Sequence, residues 1–79
     1  MITDNVNNPR HYNTSSIECI DAMKAMAANA DVDSHIAYLW QNTFKYLWRW
    51  PYKNGIEDLM KARWYLDRMI KEVDLEQYK

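Results

Sequence analysis

Apolar side chains recur at three- and four-residue spacing through most of this chain, and only Pro51 and the Asn54–Gly55 pair break that rhythm sharply. This period is the signature of helices that bury one face, and no stretch alternates with the period of two that a strand requires. Gly55 is the single glycine and there are two prolines, too few for a loop-rich or low-complexity chain. The fold class expected is therefore all-α: a small three-helix domain preceded by an irregular N-terminal arm. The arm is residues 1–14, with four Asn, one Pro and no apolar period, and the helical domain is residues 15–79.

The helix boundaries follow from caps and breakers. Ser15-Ser16-Ile17-Glu18 reads as a capping box, with Ser15 as N-cap and Glu18 three residues on. The first helix would bury Ile17, Ile20, Met23, Ala27 and Ala30. A turn is expected over 29–33. Asp33 or Ser34 caps the second helix, which carries Ile36, Leu39, Trp40, Phe44, Leu47 and Trp48 inward. Pro51 stops it, because the ring removes a backbone donor and crowds the preceding turn. Asn54 is a candidate cap for the third helix, with Glu57 three residues on. That helix should run to about Val73, with Ile56, Leu59, Met60, Ala62, Arg63, Leu66, Met69, Ile70 and Val73 as a wide inner stripe.

Seventy-nine residues make one small domain with a marginal core. Four Trp, six Tyr and one Phe are a large aromatic load for that size, and they suggest an interface. A homo-oligomer is the expectation. No apolar run is long enough for a membrane span, and we expect no secretory leader. The lone Cys19 cannot form an internal disulfide and suits a reducing cytoplasm. One Cys and two His do not complete a zinc site without carboxylates, so no metal is expected.

Net charge is −1, which argues against a nucleic-acid partner that relies on total charge. The charge is unevenly placed, however. Residues 34–71 hold seven basic and three acidic side chains, between two acidic flanks. Within that basic middle, Tyr38, Asn42, Lys45 and Arg49 fall on one helical face, and Lys53 follows just past the helix end. Cations beside an amide and an aromatic ring can hold a phosphate and stack a base. The competing reading is a solvated face. On the third helix, Glu57, Lys61, Trp64 and Arg68 share a face, and Asp58 with Lys61 is spaced for a local ion pair. Glu18 and Asp21 are neighbouring carboxylates that could orient an arginine, accept a proton or hold a metal with His11; the competing reading is that Glu18 completes the capping box and Asp21 is solvated or salt-bridged. His35 reads as a surface residue and Cys19 as a small buried thiol. With one glycine, no phosphate-cradling loop can be built, so phosphate would have to be held by side chains and helix termini.

Several segments taken together resemble a known family. They are Pro9-x-His11-Tyr12, Ile17-Glu18-Cys19-Ile20-Asp21, Lys45-Tyr46-Leu47-Trp48-Arg49, Lys53-Asn54-Gly55 and Glu57-Asp58-Leu59-x-Lys61-Ala62-Arg63-Trp64-Tyr65-Leu66. This pattern, over about residues 8–70, resembles a family of short bacteriophage proteins of unknown function. Its members are often labelled nucleotide-kinase-like, after a phage nucleoside monophosphate kinase that lacks a P-loop. The resemblance implies a phage nucleotide-binding protein, acting as a P-loop-free nucleoside monophosphate kinase or as a nucleotide-sequestering protein in the cytoplasm of an infected cell. It implies nucleotide contacts from His11, Tyr12, Lys45, Tyr46, Arg49, Lys53 and Lys61, to which the helical face adds Asn42, with Glu18, Asp21 and Asp58 as acid/base or orienting groups. It names no catalytic residue and no cofactor beyond the nucleotide itself. Where that family continues from the Arg49 position through small or polar residues, this chain has Trp50-Pro51-Tyr52. A second reading is a non-enzymatic phage protein that binds and inhibits a host enzyme or defence protein, with Trp40, Trp50, Tyr52 and Trp64 as anchors.

Overall fold

The computed structural model describes residues 17–76. Three helices follow in order: α1 (Cys19–Ala27), α2 (Ser34–Arg49) and α3 (Ile56–Glu76), with a 3₁₀ turn at Trp50–Tyr52 between the last two. No strand occurs among the described residues. No helix among them is long and apolar enough to cross a membrane. The all-α expectation holds. The arm at 1–14, with His11 and Tyr12, lies outside the described residues, as does Ser15.

The first helix begins later than its sequence suggests. Glu18 is itself the N-cap, in extended backbone conformation and without a side-chain cap bond. Its carbonyl accepts from the backbone N–H groups of Asp21 and Ala22 at 3.0 Å each. Glu18 is thus the cap itself and not a residue inside the first turn, while the Ser15 half of the expected capping box lies outside the described residues. The buried stripe shifts accordingly. Ile17 and Ile20 are exposed, while Cys19, Ala22, Met23, Met26 and Ala27 are half-buried.

The second helix starts as read. The Asp33 carboxylate accepts the Ile36 backbone N–H at 2.9 Å. Ile36, Leu39 and Thr43 are buried at helical spacing, and the Thr43 hydroxyl donates to the Leu39 carbonyl at 2.8 Å, so its burial leaves no orphan polar group. Trp40, Phe44 and Trp48 are half-buried, whereas Leu47 is exposed.

Pro51 ends the regular helix inside the 3₁₀ turn. Gly55 then takes φ +56°, a conformation that favours glycine, while its N–H donates to the Trp50 carbonyl at 2.9 Å. Asn54 does not cap α3 with its side chain. Instead Asp58 reaches back, accepting the Asn54 backbone N–H at 3.2 Å and the Asn54 carboxamide at 3.4 Å. The reciprocal residue is thus Asp58 and not Glu57.

Asp58 also sets the rotation of α3. It is wholly buried, and Ala62, Tyr65, Met69 and Glu72 follow it inward at three- and four-residue steps. The wide stripe expected from hydrophobicity is therefore only partly covered. Ile56, Met60, Arg63, Leu66 and Ile70 are exposed.

α2 and α3 run antiparallel, joined at one end by Arg49 and Asp58 and at the other by His35 and Glu72. α1 packs on α2 and does not reach α3. The described chain measures 49 × 28 × 16 Å. Its radius of gyration, 14.2 Å, exceeds the about 10–12 Å of a compact chain of this length. The buried apolar side chains are only Ile36, Leu39 and Ala62 among the described residues.

Candidate functional site

Tyr46 lies on the flank of α2 that turns toward α3, and it is the centre of a cluster drawn from both helices. The Tyr65 ring stacks on it, with centroids 5.7 Å apart and planes at 17°. Tyr38 meets Tyr65 edge-on at 6.1 Å, and Trp64 does so at 5.1 Å. Hydrogen bonding with Tyr38, reinforced by burial, pushes the Tyr65 phenol above its ordinary value. This network holds the rings against one another.

Three cations approach Tyr46. Lys45 Nζ lies 4.8 Å from the ring centroid, Arg49 Cζ 4.8 Å and Lys61 Nζ 5.6 Å. These are cation–π distances. They bring together Lys45, Arg49 and Lys61, which the chain separates by up to sixteen positions and two helices.

The three cations are not equivalent. Arg49 is committed to Asp58 through a forked pair, Nε to Oδ2 and Nη2 to Oδ1, both at 3.2 Å. The guanidinium side chain is 14% exposed and the carboxylate 0%. Burial drives the Asp58 carboxyl upward, but bonds from Arg49 and from the Asn54 backbone and side chain outweigh it. The group is held below the ordinary carboxylate value. Arg49 is thus the counter-ion of a buried acid, not a group presented to phosphate. Asp58 is withdrawn from acid/base work, and it does not form the local pair with Lys61 that its spacing suggests. In contrast, neither Lys45 nor Lys61 is paired with a carboxylate among the described residues.

Beside this cluster is an open hollow of about 490 Å³ between α1 and α2, lined by Met23, Tyr38, Gln41, Asn42 and Lys45 among others. Tyr38, Asn42 and Lys45 therefore share a wall, as the helical face requires, while Arg49 turns away to Asp58. The Asn42 carboxamide donates to the Tyr38 carbonyl at 2.9 Å. Lys53 is exposed beyond the 3₁₀ turn, and Glu18 and Asp21 are exposed on α1.

Cys19 is half-buried. Burial raises its thiol above the ordinary value more than Lys45 and Arg49 lower it. No group of three or more His, Cys, Asp or Glu suited to a metal occurs among the described residues.

Sequence reasoning missed the buried acid and the tyrosine platform. The tight Asn54–Gly55 turn was the available signal for the first, since it folds the end of α2 onto the start of α3. It also missed that His35 is tied to α3. His35 Nε2 lies 3.2 Å from the Glu72 carboxylate, which also accepts from Arg68 at 2.7 Å.

Comparison with known proteins gives a family. No curated protein and no solved structure shows significant similarity to the chain. Residues 6–67 match the DUF3310 family, which is described as a protein family of unknown function. That span takes in α1, α2, the turn and the first half of α3, and so every residue of the Tyr46 cluster. Since the match covers most of the chain, this protein belongs to the DUF3310 family.

Proposed function

We propose that this chain is a phage nucleotide-binding protein that holds its ligand on the Tyr46 face. The carrying observation is that Lys45 and Lys61, from two helices, converge on one tyrosine ring, and neither is paired with a carboxylate among the described residues. Two ammonium groups held over a fixed ring favour a phosphate, and the exposed Tyr38 and Trp64 rings offer a stacking surface for a base. The adjoining hollow, with the Asn42 carboxamide in its wall, has room for a sugar or base. Of the two activities implied by the resemblance, binding and sequestration is the better supported. Phosphoryl transfer also needs a group to orient the attacking oxygen, and Asp58 is locked on Arg49.

The test is a thermal-shift panel of nucleoside mono-, di- and triphosphates and cyclic nucleotides, read beside native mass. At least one nucleotide should raise the midpoint. Lys45→Ala and Lys61→Ala should each weaken that ligand by about 10-fold or more without changing helicity. A wild-type chain that responds to none of them at millimolar concentration overturns the reading. Transfer of a phosphoryl group from ATP to a monophosphate in the same samples would add catalysis to binding.

The second reading, inhibition of a host protein, is favoured by the exposure of Trp64, Trp50 and Tyr52; Trp40 is half-buried and is a weaker anchor. If Trp64→Ala and Trp50→Ala abolish the biological effect while the lysine variants leave it intact, the surface is a docking face.

A further inference from the structure

We infer that Gln41 reads the base of the nucleotide, and that this base enters the hollow between α1 and α2 rather than stacking on Trp64. The inference rests on the Tyr46 face holding the phosphate. Two places beside the Tyr46 cluster could take a base. The hollow between α1 and α2 is about 490 Å³. A smaller one, about 220 Å³, lies at Trp64 and is lined otherwise by Asp67, Arg68 and Lys71 of the same helix. Small-molecule sites occupy about 300–1,000 Å³ and are mostly apolar, with a few placed polar groups. Of the two, the first falls in that range, and Met23, Ala37 and the Tyr38 ring give it apolar surface from two helices. At Trp64 the walls other than the ring are charged. Arg68 there is already bonded to Glu72 at 2.7 Å, and Asp67 would repel a phosphate.

Two carboxamides line the larger hollow. Asn42 is bonded to the Tyr38 carbonyl at 2.9 Å. Gln41 is half-buried, and its side chain has no hydrogen-bond partner among the described residues. A carboxamide presents a donor and an acceptor side by side, which complements the donor and acceptor along a nucleobase edge; glutamine pairs with bases in this bidentate way. A phosphate dianion has no donor to return. Helix spacing then sets the order of contacts. Tyr38 lies three positions before Gln41 and Lys45 four after, so the three line one face at steps of about one turn, 5.4 Å. A base against Gln41 has the exposed Tyr38 ring on one side for stacking. On the other side is Lys45, and one sugar's length carries the phosphate to the Lys45–Lys61 pair over Tyr46.

The test is an NMR titration of the full chain with AMP, GMP, CMP and UMP, each set against methyl ribofuranoside 5-phosphate, which has a methoxy group in place of the base. With the nucleotide that binds best, the Gln41 side-chain amide resonances should move; with the abasic analogue they should stay in place. Gln41→Met keeps the length of the side chain and removes both polar atoms. It should weaken the nucleotide by about 5-fold and the analogue by less than about 2-fold. Gln41→Ala is the second variant and should show the same split. Lys45→Ala should weaken both ligands, because it holds the phosphate they share. Three results overturn the assignment while leaving phosphate binding on the Tyr46 face intact: Gln41 amide resonances that ignore the nucleotide, Gln41 variants that bind it as wild type does, or equal weakening of both ligands. If Trp64→Ala loses the nucleotide where Gln41→Met keeps it, the base lies on α3 and the assignment fails. A wild-type chain that binds none of the five compounds at millimolar concentration overturns both this inference and the nucleotide reading beneath it.

Discussion

Asp58 shows how one side chain can decide the role of several others. A carboxylate with no solvent exposure is tolerable only when its oxygens are occupied. Arg49 and Asn54 occupy them. Removing Arg49 would leave a buried uncompensated charge, so Arg49→Ala should cost about 3 kcal/mol or more, measured by urea denaturation. Any loss of ligand binding in that variant would report unfolding, which is why Lys45 and Lys61 are the informative positions. The pH dependence follows from the same contacts. The Asp58 carboxyl is held below its ordinary value, chiefly by Arg49 against the opposing effect of burial. Glu72 is held below its own by Arg68 and then His35. A carboxyl depressed on folding stabilises the native state fully above its unfolded pKa and loses that contribution as pH falls through its folded pKa. Denaturation midpoints should therefore drop on acidification from about pH 5 downward. Asp58→Asn, if folded, should flatten that acid limb, and an unchanged limb would remove Asp58 from the explanation.

At the scale of elements, the turns were more legible than the faces. Asp33 was readable as a cap because a carboxylate just before an apolar period has one obvious partner, the free N–H groups of the first turn. Asp33→Ala should cost about 1 kcal/mol, seen in the thermal midpoint. The Asn54–Gly55 break was equally plain. Gly55→Ala meets nothing within 4 Å but must adopt φ +56°, so its expected cost of about 1 kcal/mol is conformational. The faces were harder. Hydrophobicity placed Ile56, Met60, Leu66 and Ile70 inward with Ala62, but a stripe that wide cannot all meet one neighbour. The Asp58–Arg49 pair chose which part does. A pair between two helices leaves no periodic trace, because neither residue is apolar. The basic row on α2 was legible for the same reason that it was misleading. Spacing put Lys45 and Arg49 on one face, but it carried no information on which cation the next helix would neutralise.

Across the described helices α2 contacts both of the others, and stability should be graded from one helix to the next. Among the described elements α1 contacts α2 alone, whereas α2 and α3 share the most extensive contact. Amides of α1 should exchange with solvent faster than those buried between α2 and α3, by native-state hydrogen exchange followed residue by residue. Equal protection in all three helices would mean that α1 has support beyond α2.

Arg49 and Asp58 are nine positions apart in the chain. Bringing them together closes a very short loop, which costs little entropy, and it aligns α2 and α3 at their joined ends. Such local topology permits assembly in microseconds to milliseconds. The hairpin can then zip away from the turn toward His35 and Glu72. In a chevron experiment, Asn54→Ala should therefore slow refolding more than it speeds unfolding, while loss of the distal His35–Glu72 contact should act mainly on the unfolding arm.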